Sequence, residues 1–112
     1  MKAAALLDET DLALSAQVLE EFYVQATRVG ATAALSHESA VAFLTTLLRF
    51  PVQESTVALV RAALATRARW HLSYWDAAIV EAARAAGCDT ICTEDLQNGQ
   101  DFGGVRVVDP FA

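Results

Sequence analysis

The sequence predicts an α/β domain of three layers, with helices packed on a mainly parallel sheet. Short apolar runs alternate with longer stretches of helical period along its 112 residues. Each long stretch opens on a serine that suits a helix cap, and Gly30 and Gly87 stand where two of them stop. Acidic residues gather where such strands end and such helices begin.

In order, segment 2–8 (KAAALLD) reads as a helical fragment with no element before it. Residues 11–15 (DLALS) read as a short buried strand. Ser15 caps a helix over 16–28, where Val18, Leu19, Phe22 and Ala26 form an apolar stripe that Val29 extends. Ser36 caps a second helix to about 48, with Val41, Leu44, Leu47 and Leu48 facing inward. Phe50-Pro51-Val52 reads as a brief edge strand, where a proline is tolerated. Ser55 caps a third helix over 56–69, with Val57, Val60 and Leu64 as its stripe. Ser73 caps a fourth, with Asp76 in its first turn and Ile79, Val80, Ala83 and Ala86 at helical spacing. The run Thr90-Ile91-Cys92 is a strand, 97–104 a loop and 105–108 (VRVV) the last strand.

This length predicts one domain over 1–112. An apolar fraction of 54% and a mean hydropathy of +0.31 are high for its size and point to a face buried against a partner. No run approaches the roughly 18 apolar residues of a membrane span, and the start does not read as a signal peptide. Cys88 and Cys92 stand about 13 Å apart along an extended chain, too far for a disulfide, and read as buried residues of a cytoplasmic protein. The net charge of −6 excludes a protein that simply coats nucleic acid. A local set of arginines can still grip phosphate; Arg28, Arg61, Arg67 and Arg69 are candidates, and solvated helix-end cations are the alternative.

The chemistry concentrates in 72–100. A βα fold places its ligands just beyond the carboxyl ends of its strands. Asp95 follows one strand, and Asp76 starts the helix before it, so the two can share an edge of the sheet. Two carboxylates in a crevice suggest a hard divalent cation. Glu20 or Glu21, early in the helix after the first strand, supplies a third; Glu21, beside Phe22, has the better claim. Taken singly, Asp76 suits a capping box, Glu94-Asp95 a turn and Glu21 a solvated surface.

The runs SAQVLEEFY (15–23), LSYWDAAIVEAARAAGC (72–88), TEDLQNGQ (93–100) and GVRVVDPF (104–111) resemble the PIN domain, in particular the VapC-type toxins of prokaryotic toxin–antitoxin pairs. The resemblance covers nearly the whole chain. It implies an α/β/α fold and a metal-dependent endoribonuclease using Mg²⁺ or Mn²⁺, inhibited by a cognate antitoxin. The matching acids are Glu21, Asp76 and Asp95, assisted by Glu94, with Thr93 as a supporting hydroxyl. Asp76 and Asp95 are the expected metal ligands; Glu21 would bind through water or position the nucleophile.

One departure stands against these matches. The family opens with a central buried strand ending in an aspartate, within D-x-N, and a helix follows it. Neither is recognisable here, so the chain reads as a PIN domain truncated at its front. Strands 11–15 and 89–93 would then close up or expose apolar edges, which predicts self-association into a homo-oligomer. An inactive PIN domain that only binds an antitoxin or a second copy is the alternative function. A flavodoxin-like or receiver domain is a weaker one, lacking the phosphate loop or phosphoacceptor context.

Overall fold

The computed structural model describes residues 4–7, 12–30, 34–93 and 96–109, with 4–7 and 12 by backbone alone. The elements are β1 (Ala4–Leu7), β2 (Leu12–Ser15), α1 (Ala16–Ala26), α2 (His37–Leu47), β3 (Val52–Gln53), α3 (Val57–Trp70), α4 (Tyr74–Ala85), β4 (Thr90–Thr93) and β5 (Arg106–Val108). Together they make the expected α/β/α class.

The sheet has five strands in the order β3-β2-β1-β4-β5. β2 runs parallel to β3, and β4 parallel to β5. β1 lies between β2 and β4, antiparallel to both, with Leu6 opposite Ala13 on one side and Ile91 on the other. Hence four strands share one direction and the central strand opposes them.

This arrangement corrects two expectations. The segment 2–8 is not a helical fragment: its alanines and leucines suit a helix in isolation, but between two strands they complete a ladder that an isolated turn cannot match. Strands β2 and β4 neither meet nor stand open, since each is paired on both sides, so self-association through their edges is overturned. The outer edge of β5 is also occupied: Gly99 donates to Val107 O at 2.9 Å, and Val107 donates to Gln100 O at 2.9 Å.

α4 is the centre of the packing. It contacts β1, β2, β3 and β4 on one side and α3 on another, and every residue from Ala77 to Ala83 is buried. Its alanines let both neighbours approach closely. Ile91 and Val107, on alternate positions of their strands, join Leu59, Ala63, Phe102 and Val105 in the same core. Ser73 caps the helix by accepting from Asp76 N at 3.1 Å, and Gly87 at φ 75° ends it in the left-handed region that glycine adopts without strain.

The other helices bury less than their stripes predict. In α3 the buried positions are Leu59 and Ala63, whereas Val57, Val60 and Leu64 are 71, 38 and 54% exposed. Both sets recur at helical spacing, and the close approach to α4 selects the one containing the small Ala63. In α2 only Ala40 is buried; Val41 and Leu48 are exposed, and Leu44 and Leu47 half-buried. In α1 the buried residue is Gln17, with Val18, Leu19, Phe22 and Ala26 half-buried and Val29 exposed. Phe22 and Phe43, 4.9 Å between ring centroids, join α1 to α2.

The cap of α3 is Thr56, not Ser55: Thr56 has extended backbone (φ −84°, ψ 165°) and its Oγ1 accepts from Leu59 N at 3.1 Å. Thr56→Ala is therefore expected to cost about 1 kcal/mol in urea denaturation, and Ser55→Ala no more than about 0.5 kcal/mol. Equal losses would contradict the assignment.

Candidate active site

One edge of the sheet collects the carboxyl ends of the co-directional strands. Ser15 faces Gln53 across β2–β3, Cys92 faces Val108 across β4–β5, and Thr93 lies opposite Ala4. α1 leaves this edge directly, since Ser15 both ends β2 and caps α1 by accepting from Val18 N at 3.2 Å. α4 starts there too, because it precedes β4 by a short turn and must run the opposite way. Two helix N-termini, with their partly positive ends, therefore converge on the edge.

The cap at Ser73 fixes Asp76 in the first turn of α4, where its side chain is half-buried. Glu21 sits a turn into α1, also half-buried, while Glu20 is exposed. A buried amide joins the two regions. Gln17 Nε2 donates to Glu21 Oε1 at 3.1 Å and to Trp75 O, the residue before Asp76, at 3.3 Å. Gln17 thus ties the Glu21 carboxylate to the backbone at the start of α4, one residue before Asp76. Thr93 is buried at the end of β4. Glu94 and Asp95 lie outside the described residues.

Among the described residues no group of three or more His, Cys, Asp or Glu side chains is placed to hold a metal ion. Glu21 and Asp76 supply carboxylate oxygens, the donors that hard divalent cations prefer. The central strand adds none: β1 (AALL) carries no acid, and its reversed direction brings Ala4 to the edge. Of the arginines, Arg67 and Arg69 lie in the last turn of α3, which the short turn at 71–73 joins to the start of α4. The Arg69 guanidinium lies 5.0 Å from the centroid of the Trp70 ring. Arg61 is further back along α3, and Arg28 lies beyond the far end of α1.

Gln17 escapes sequence reasoning because a polar residue just inside a helix reads as solvated. Its one signal is the spacing of four from Glu21, which places both on one helix face. Trp75 had a plainer signal, as a large aromatic beside a candidate ligand.

A family model described as the PIN domain matches residues 1–98. The chain belongs to the PIN domain family. PIN domains are commonly nucleases and typically use divalent metals. Comparison with curated proteins gave no match, and comparison with solved structures gave none. No helix among the described residues is long and apolar enough to cross a membrane.

Proposed function

We propose that this PIN domain is a metal-dependent endoribonuclease, the toxin of a toxin–antitoxin pair, that hydrolyses RNA phosphodiester bonds. The observation that carries the reading is the frame in which Gln17 ties Glu21 to the start of α4 beside Asp76. Asp76 and Asp95 would hold Mg²⁺ or Mn²⁺, with Glu94 assisting. Bound there, the cation supplies Lewis-acid polarisation of the phosphodiester and activation of water. Glu21, whose position the Gln17 amide fixes, would orient the attacking water. Thr93 would steady Asp95 at the end of β4.

An antitoxin, or a second copy of the chain, would cover apolar surface such as Val57, Val60 and Leu64 on α3. Cys88, buried, and Cys92, half-buried, pack as the small apolar residues of a cytoplasmic protein would. A second reading, an inactive PIN domain that only binds such partners, draws on the absence of any acid in β1.

Incubation of the chain with structured RNA separates the two. Cleavage should appear with Mn²⁺ or Mg²⁺, vanish in EDTA, and be lost in Asp95→Asn. A folded chain that leaves RNA intact with either metal is the inactive module.

A further inference from the structure

Trp75 is 59% exposed, while the adjacent Tyr74 packs against the core. The two rings meet edge to face, 5.2 Å between centroids at 78°. Tyr74 therefore braces the indole, and the bond from buried Gln17 to Trp75 O anchors its backbone. The Tyr74 ring contact limits the rotamer freedom that the exposed indole has to lose on binding.

We propose that Trp75 is a stacking platform that receives a base of single-stranded RNA beside the phosphodiester presented to the carboxylates. The proposal rests on the ribonuclease reading above. Trp75 precedes Asp76 directly, so a nucleotide whose phosphate faces Asp76 has its base, or its neighbour's, within reach of the ring. Net charge decides why such a platform matters. At −6 the chain gains little from phosphate attraction in general, and the last-turn Arg67 and Arg69 are a small local exception. Affinity for a single strand must then draw on an uncharged term, and base–aromatic stacking is the strongest one open to it. A protein contact is the poorer fit, since an interface anchor sits within an apolar surround. Along the chain Trp75 stands between Tyr74 and the acid Asp76, with the exposed His71 and Ser73 just before them.

The probe is a fluorescently labelled eight-nucleotide 2′-O-methyl oligouridine, with binding followed by anisotropy in EDTA so that no cleavage intervenes. Trp75→Ala should weaken binding about 5- to 150-fold, the equivalent of about 1–3 kcal/mol for one stacked base. Trp75→Phe should retain most of the affinity and Trp75→Leu should not, because only an aromatic face stacks. Thermal unfolding should shift little in any of the three, as the side chain is exposed. An unchanged Kd in Trp75→Ala overturns the platform. Equal binding by Trp75→Leu and Trp75→Phe also overturns it, and assigns the indole to an apolar contact with a protein. If the parent chain cuts RNA with Mn²⁺ while Trp75→Ala binds normally, the platform fails and the ribonuclease stands. If the parent chain neither binds the oligouridine nor cuts, both fail.

Discussion

Asp76→Asn is expected to lower Mn²⁺-dependent RNA cleavage by at least about 100-fold while leaving the fold in place. A cation that stabilises transition-state charge contributes several kcal/mol, and each 1.4 kcal/mol is a factor of ten in rate. Asparagine keeps the size and one oxygen of the side chain but loses the charge that a hard cation requires. The effect on stability is small because capping belongs to a different group. Ser73 Oγ accepts from the backbone N–H of Asp76, a bond that Asn at 76 still donates. The charge change also removes the favourable placement of a carboxylate at the helix N-terminus, about 0.3–1 kcal/mol. Ser73→Ala should show the reverse pattern, with about 1 kcal/mol of stability lost and a smaller effect on cleavage. Calorimetric titration with Mn²⁺, unfolding in urea and a cleavage time course decide the matter. An Asp76→Asn chain that unfolds in proportion to its lost activity would make Asp76 a structural residue only.

How far the sequence carried varies by element, and the difference follows from whether the deciding interaction is local. Ser15, Ser36 and Ser73 are legible as caps because the group each one binds is three residues away, and all three accept from that backbone N–H. β1 was not legible. Alanine and leucine suit helix and strand alike, and what decides between them is pairing with β4, more than eighty residues on. The α3 stripe failed for a related reason. Val57, Val60 and Leu64 compete with Leu59 and Ala63 at the same period, and only the shape of the alanine-rich α4 chooses between them. Near the proposed site, the first-turn position of Asp76 follows from the cap at Ser73, and the position of Glu21 in α1 from its place after β2. The Gln17 link from Glu21 to Trp75 O depends on a tertiary contact that no spacing encodes.

Arg84→Ala is expected to destabilise the chain by about 3 kcal/mol. Glu81 is buried within α4 and holds its carboxylate with three bonds: Thr66 Oγ1 donates at 2.8 Å, and Arg84 Nε at 3.1 and 3.4 Å. Arg84 also donates to Gly103 O at 2.7 Å and to Phe102 O at 2.6 Å. One guanidinium thus compensates a buried charge and fastens the loop that inserts Phe102 and Val105, both fully buried, into the core. Removing it leaves Glu81 with Thr66 alone among the described residues and takes the donor from two carbonyls. Breaking a buried ion pair costs about 3–5 kcal/mol. The lower end applies because the Arg84 side chain is 43% exposed, so water screens the pair and can reach part of the vacated space. For a domain of this size the loss corresponds to a fall in Tm of about 10 °C or more. Arg84→Met with Glu81→Gln should recover part of it, because the uncompensated charge goes with its partner, and the double-mutant cycle should give a coupling of at least about 1 kcal/mol. A loss under about 1 kcal/mol in Arg84→Ala would mean that Glu81 is rehydrated without its partner and that the 102–105 loop is held by Phe102 packing alone.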